Sequence, residues 1–387
     1  MELKRTYEDI RKRVAAGDVV VLTAEEVKKL GQEQGVKQVL KEVDIVTTGT
    51  FGPMCSSGAF LNFGHSSPPI NMKKIWLNDV PTYAGVAAVD AYIGATEGSE
   101  ISPDKYGGAH VIEDLIAGKD IKLKALGKGT DCYPRKDIET FINKKSVNEA
   151  FLFNPRNAYQ NYAAATNTSD RTLRTYMGTL LPNCANATYS TSGELSPLLN
   201  DPELKTVGIG TRIFLGGTQG YVAWNGTQFN TSREKNASGI PTGPGATLAV
   251  VGDLKKMSTD FIRAAVFDSY GISMFVGIGL PIPVLDMDIA KRVCVLDHEI
   301  ETNLCDYSDP SHPAIGRYNY AQLKSGEIDL KGRSVRTGPL SSMYKARVIA
   351  KTLKDWIKKG EFGITRPVEG LPKDTKLNSL EVRGVGK

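Results

Sequence analysis

The 387 residues contain no CxxC, no dinucleotide glycine fingerprint between a strand and a helix, no P-loop and no apolar run of membrane-spanning length. Each absence removes a class of protein. The five cysteines, Cys55, Cys132, Cys184, Cys294 and Cys305, are odd in number and lack paired spacing, which argues against a secreted disulfide framework or a zinc ribbon. Without a Rossmann fingerprint or Walker motif, an internal nicotinamide or nucleoside triphosphate has no support. No ferredoxin-type iron-sulfur spacing occurs. Lys plus Arg is 48 and Asp plus Glu 43, an excess of +5 spread along the chain with no basic block before the C-terminal region, so nucleic acid is not indicated. The N-terminus is a charged helical pattern followed by a short apolar run, unlike a signal peptide, and no membrane association is expected. A reducing cytoplasm is the expected location, and the NxS/T triplets at Asn167 and Asn236 are then chance occurrences.

What is present is a mixture of helix-like and strand-like segments, and the expected class is α/β. A mixed sheet with flanking helices is joined to a β-rich, glycine-rich middle portion. Residues 19–22 and 44–49 read as buried strands, and residues 24–43 between them as one helix with Thr23 as its N-cap. IKLKAL, 121–126, is a further strand. Between about 150 and 290 the chain is richer in Gly, Asn, Thr and Pro, and GIGTRIFLGGTQGYVAWNGTQ, 208–228, indicates strands with tight glycine turns. Near the C-terminus, Leu340, Met343, Ile349, Leu353, Trp356 and Ile357 form the apolar stripe of an amphipathic helix whose wet side carries Lys351, Lys354, Lys358 and Lys359. The expected organisation is one large domain over 1–370, with a sub-boundary near 150, and a loose polar tail over 371–387.

Two cysteines lie in chemically suggestive surroundings. Cys55 sits in GTFGPMCSSGAFLNFGHSSPP, 49–69, among glycines, serines and prolines that hold a loop able to approach a ligand closely, with His65 ten positions on. Cys132 sits in ALGKGTDCYPR, 125–135, with Asp131, Tyr133 and Arg135 around it. Both loops follow strand ends, where open α/β sheets bind ligands, and two loops from one sheet would bring the thiols together. For either cysteine the bland alternative is a small buried hydrophobe.

Several strings together, GTFGPMCSSGAFLNFGH, YGGAHVIEDLIAGK, GTDCYPR, NPRNAYQNY, TYMGTLLPN, SPLLNDP, GIGTRIFLGG and VGDLKKM, resemble the archaeal and bacterial homocysteine biosynthesis family, the L-aspartate semialdehyde sulfurtransferases, from about 17 to about 310. The resemblance implies formation of L-homocysteine from L-aspartate semialdehyde and a sulfide or persulfide donor, with Cys55 and Cys132 as sulfur carriers and a ferredoxin-like electron-donor protein as partner. Longer members carry a C-terminal pair of CBS modules that this chain lacks, so regulation through them is not expected.

The reaction implied replaces a carbon–oxygen double bond by a carbon–sulfur single bond and so needs sulfur, electrons and protons. A thiolate is the active form of a carrier cysteine, and Arg135 near Cys132 and His65 near Cys55 are candidates for the favourable field or for protons, whereas Asp131 opposes it. The substrate carboxylate calls for a fork-shaped cation, for which Arg156 and Arg212 are candidates, with Asn157, Asn161 and Tyr162 as hydrogen-bonding neighbours. Either arginine alternatively ties down a loop through carbonyls. Cys294, His298, Cys305 and His312 lack metal-like spacing, so no metal site is assigned there. An iron-sulfur cluster held at Cys55 and Cys132 is the cofactor alternative, and a reversible Cys55–Cys132 redox pair or a sulfide carrier without its own turnover the functional one. A homodimer is the default expectation for a soluble enzyme.

Overall fold

The structure is a computed structural model that describes residues 4–381. Its centre is a nine-stranded sheet in the order Ile262–Phe267, Gly271–Gly279, Arg212–Leu215, Thr218–Asn225, Leu248–Asp253, Glu149–Asn157, Gly58–Asn62 and Asp90–Gly94, with Thr50–Pro53 also paired to Gly271–Gly279. Every pairing in this sheet is antiparallel. Parallel pairs occur in smaller sheets, such as Val21–Thr23 beside Ile45–Thr47 and Asn186–Tyr189 beside Arg333–Pro339. The class is therefore α/β with mixed sheets. The antiparallel centre, however, owes much to tight turns, which bring a strand back beside its predecessor. The middle portion shows this directly: Arg212–Leu215 and Thr218–Asn225 form a hairpin whose turn is Gly216 and Gly217, both at positive φ (60° and 94°), conformations a side chain would strain.

A separate four-stranded antiparallel sheet, Val80–Thr82, Met72–Leu77, Ile121–Gly127 and Asp137–Ile142, carries the Cys132 loop. The two thiol loops thus issue from different sheets, contrary to the expectation from periodicity, because IKLKAL pairs with its neighbours at 72–77 and 137–142 and not with the strands around Cys55.

Thr23 caps Ala24–Gln34 through a capping box with Glu26, as its sequence position predicts. The helix does not run to 43. Gly35, at φ 83° and ψ 159°, divides it into Ala24–Gln34 and Val36–Glu42, since only glycine takes that conformation without cost. The C-terminal helix runs from Met343 to Lys358 with Ser342 as N-cap, and buries Ala346, Ile349, Ala350, Leu353 and Ile357. Its wet side is ion-paired: Lys354 reaches Glu26 at 2.7 Å and Arg347 reaches Glu25 at 2.9 Å. Past it, Glu369–Gly370 pairs with Gly208–Ile209, Leu371 is buried and Thr375 bonds Thr231, so the start of the expected loose tail is fastened down. Residues 382–387 of that tail lie outside the described residues.

Lys28 is fully enclosed and donates to the Asn200 side chain (2.8 Å) and the Val293 carbonyl (2.9 Å). Burial lowers its pKa from 10.5 to about 8. Between those values the unfolded chain holds a proton that the folded chain has lost, so stability rises with pH across the window and the rise is complete above it. The expected outcome is that the unfolding free energy of the natural protein gains on that of Lys28→Met between pH 8 and pH 10.5; a difference flat in pH across urea titrations would contradict it.

Candidate active site

Cys55 lies in a four-residue turn between Thr50–Pro53 and Gly58–Asn62, not in a long open loop. The strand ladder extends one residue beyond Pro53, with Met54 N–H donating to the Met274 carbonyl at 2.7 Å. Ser57 then closes the turn by donating from its N–H (3.1 Å) and its hydroxyl (2.7 Å) to the Met54 carbonyl. Asn154 on the adjacent strand receives the Ser56 hydroxyl (3.1 Å) and donates to the Ser57 hydroxyl (2.7 Å). The half-buried sulfur lies 3.1 Å from the hydroxyl of Ser273, which is itself fully buried. Tyr270 stands beside the sulfur, and its phenol is pushed up to about 12, first by burial and then by the neighbouring thiol.

Cys55 forms part of the wall of a cavity of about 560 Å³, a volume suited to a small molecule. Arg156 is on the same wall, and its position has a local cause. Between Asn154 and Asn157 the pairing with Leu248–Asp253 slips by one residue, a bulge that breaks the alternation of faces and re-aims the side chain. The guanidinium Nε donates to Thr227 Oγ1 at 3.0 Å, and the group stands beside Tyr159. Tyr159, Tyr162, Tyr176 and Tyr270 supply much of the remaining surface, with hydroxyls of Thr50, Ser56, Thr96, Ser190, Thr191 and Ser196.

The other sequence candidates fall elsewhere. Cys132 is exposed near the tip of a loop closed by mutual backbone bonds between Thr130 and Tyr133 (2.9 and 3.0 Å), and is not among the cavity-lining residues. His65 belongs with that loop: its ring stacks on Tyr133 at 5.9 Å instead of approaching Cys55. Arg135 donates to the carbonyls of Ser67 (2.8 Å) and Pro68 (3.1 Å), which ties the two loops together. Arg212 lies away from the cavity, with Nη1 on the Gly363 carbonyl (3.4 Å) and its guanidinium over the Tyr221 ring (5.8 Å); it secures the C-terminal segment. Asn157 is buried behind the wall, its Oδ1 accepting from Ala158 N–H at 2.6 Å and its Nδ2 without a partner. Asn161 spans carbonyls of Pro241 (2.7 Å) and Glu301 (2.8 Å), and is structural.

Among the described residues no group of three or more His, Cys, Asp or Glu side chains is placed to hold a metal ion. Cys55 and Cys132 stand on separate elements, and of the two Cys55 lines the cavity. Cys294 is packed in the interior against Gly31, and burial pushes its thiol up to about 11.

Sequence reasoning missed Ser273, Tyr159, Tyr176 and Tyr270. Tyr159 lies in NPRNAYQNY, close to the candidates Arg156 and Asn157. Tyr270 and Ser273 come from the turn and second strand of the Ile262–Gly279 hairpin, whose sequence reads as an ordinary apolar strand.

A thiol and a guanidinium on one small-molecule cavity are the equipment of a cysteine-dependent enzyme, and comparison with known proteins makes the assignment specific. A family model described as "Homocysteine biosynthesis enzyme, sulfur-incorporation" matches residues 19–364, and the chain belongs to that family of sulfur-transferring enzymes. It is 50% identical over 381 residues to the L-aspartate semialdehyde sulfurtransferase of Methanosarcina acetivorans, covering 98% of this chain and 74% of that one. It is 49% identical over 387 residues to the protein of the same name from Methanocaldococcus jannaschii, covering 95% and 74%. An uncharacterized protein of Methanothermobacter thermautotrophicus is 28% identical over 336 residues, covering 84% and 73%. No solved structure matches the chain. No helix among the described residues is long and apolar enough to cross a membrane.

Proposed function

We propose that the protein makes L-homocysteine by transferring reduced sulfur to L-aspartate semialdehyde, with Cys55 as the sulfur-carrying thiol. The observation that carries this reading is the half-buried Cys55 sulfur on the wall of a cavity that also holds Arg156, in a chain half identical to two proteins named for that activity.

The chemistry follows from the atoms. Aldehyde plus hydrogen sulfide plus two electrons and two protons gives thiol plus water. When the sulfur arrives as a Cys55 persulfide it is at the sulfane level, and a second electron pair with two more protons is needed. The terminal persulfide sulfur adds to the aldehyde carbon, forming the carbon–sulfur bond while the carbonyl oxygen takes a proton. Reduction then breaks the sulfur–sulfur bond and returns Cys55 as a thiolate. Loss of the oxygen as water and delivery of the other electron pair to carbon complete the thiol. Ser273, hydrogen-bonded to the sulfur, and Tyr270 beside it orient the thiol and supply local proton donors. Arg156 takes the substrate α-carboxylate.

The electrons come from outside, from a low-potential ferredoxin-like protein, and exposed Cys132 is the thiol that such a partner or a sulfide or persulfide donor meets first. All five cysteines are free thiols, which suits a reducing cytoplasm. The test is anaerobic incubation with L-aspartate semialdehyde, a donor carrying labelled sulfane sulfur as a persulfide, and a low-potential reductant, with and without the ferredoxin-like protein. Labelled homocysteine is the expected product. Its absence in both arms, with a reversible Cys55–Cys132 disulfide present, would replace this reading by a redox protein.

A further inference from the structure

The cavity carries one kind of charge. Among the described residues, Arg156 is the sole group of fixed charge on its wall, and no Asp or Glu lines it. A substrate that is both a carboxylate and an ammonium ion leaves the second charge without an acidic partner, and the hydroxyls of the wall offer that charge only neutral acceptors. Beside hydroxyls and small apolar groups, four tyrosines supply much of the rest of the wall. Tyr159 meets Tyr162 at 5.0 Å and 82°, Tyr162 meets Tyr176 at 6.4 Å and 82°, and Tyr176 meets Tyr270 at 6.0 Å and 62°. Rings set edge to face in succession make a corner, and the face of each ring is the negative end of its quadrupole.

We infer that Tyr159, Tyr162, Tyr176 and Tyr270 form a cage that receives the substrate's α-ammonium group on aromatic faces, in place of a carboxylate. The inference rests on the substrate reading above and deepens it.

The order of groups along the wall matches the order of groups along the substrate. Arg156 and Tyr159 are neighbours on the wall, so the carboxylate seat and the first ring of the cage adjoin, as the carboxylate and ammonium do on one α-carbon. Tyr270 stands beside the Cys55 sulfur, so the far ring adjoins the reacting end, one methylene further along the substrate. The rings are also held still. Tyr162 donates to the Tyr176 hydroxyl at 3.3 Å, and the Tyr176 and Tyr307 hydroxyls lie 3.0 Å apart. These bonds engage the Tyr162 and Tyr176 hydroxyls with one another and with Tyr307, and leave those two ring faces as the available attraction. Burial raises the phenol pKa of Tyr159 and Tyr162 and pushes Tyr270 up to about 12, so the rings act as neutral π-systems and not as phenolates.

The experiment compares two stable probes by calorimetry, L-homoserine, which keeps the amine, and 4-hydroxybutyrate, which lacks it. The natural protein is expected to prefer L-homoserine by roughly tenfold, the scale of a partly desolvated cation–π contact. Tyr176→Leu should lose most of that preference, whereas Tyr176→Phe, which removes the hydroxyl and keeps the ring, should retain it. Tyr270→Leu and Tyr270→Phe repeat the comparison at the other end, and thermal unfolding shows that each variant is folded. No binding of L-homoserine, no preference in the natural protein, an unchanged preference in both leucine variants, or equal losses in the Phe and Leu variants would each overturn the cage. Homocysteine formation without amine discrimination would sink the cage and keep the reaction; discrimination without homocysteine formation would do the reverse.

Discussion

Serine in place of Cys55 is expected to abolish homocysteine formation, a fall of roughly a thousandfold or more, because a hydroxyl cannot carry sulfane sulfur and is a far weaker nucleophile at neutral pH. The fold should survive. The backbone of the turn is fixed by Met54, Ser57 and Asn154, none of which depends on the sulfur, and an oxygen at that position can still bond Ser273. Intact-mass measurement after exposure to a sulfur donor should show a persulfide on the natural protein and on Cys132→Ser, and none at this turn in Cys55→Ser. Because Cys132 is exposed and outside the cavity, its serine variant should keep the Cys55 persulfide while turnover slows. Full turnover by Cys55→Ser would remove the thiol from the mechanism, and an unchanged rate in Cys132→Ser would remove the second one.

The largest loss of stability is expected at Asp44. Its carboxylate is fully buried, 3.4 Å from Arg5 Nε and 3.0 Å from Arg13 Nη1, and accepts the Val20 N–H at 2.8 Å. Arg5 in turn donates to carbonyls of Lys41 (2.7 Å) and Val43 (3.2 Å), so one charge cluster pins the N-terminal segment to the strands Val21–Thr23 and Ile45–Thr47. Asp44→Ala removes the anion and leaves the largely buried Arg5 cation and the Val20 N–H facing a void, which should cost about 3–5 kcal/mol. Urea denaturation at neutral pH measures it. Asp44→Asn, which keeps an acceptor for Val20, should cost less. A loss under about 1 kcal/mol for the alanine variant would place the pair with ordinary surface ion pairs.

Local features were legible in the sequence wherever a residue acts through its own backbone. Thr23 announced its cap, the glycine pair at 216 and 217 its hairpin, and the stripe from Leu340 to Ile357 its helix, which starts at Met343 and leaves Leu340 outside it on the cavity wall. Gly35 was there to be read as a break, but the apolar period on either side of it masked the interruption. What stayed hidden was pairing at long range. Nothing in IKLKAL states that it joins a sheet of its own, so the placing of Cys132 away from Cys55 could not be derived, and His65, close to Cys55 in sequence, turned out to stack on Tyr133. The thiol and Arg156 were found because their neighbours are small or amide residues, unlike a packing core or a charged helix face. Arg212 met the same criterion and serves the C-terminal segment, which shows that a small-residue setting marks close backbone approach and not chemistry as such. The tyrosines at 176 and 270 gave no signal, since an aromatic ring among strands reads as core.

The slip between Asn154 and Asn157 carries a lesson for anyone transplanting this site. Strand residues alternate sides by parity, so the direction of Arg156 depends on a count of residues and not on any neighbour's identity. Removing one residue there would restore the regular ladder and invert the parity of the strand beyond it, leaving every amino-acid type in place and the guanidinium on the wrong side. A graft of this cavity onto another scaffold must copy that extra residue along with the side chains, because the information it holds is arithmetic.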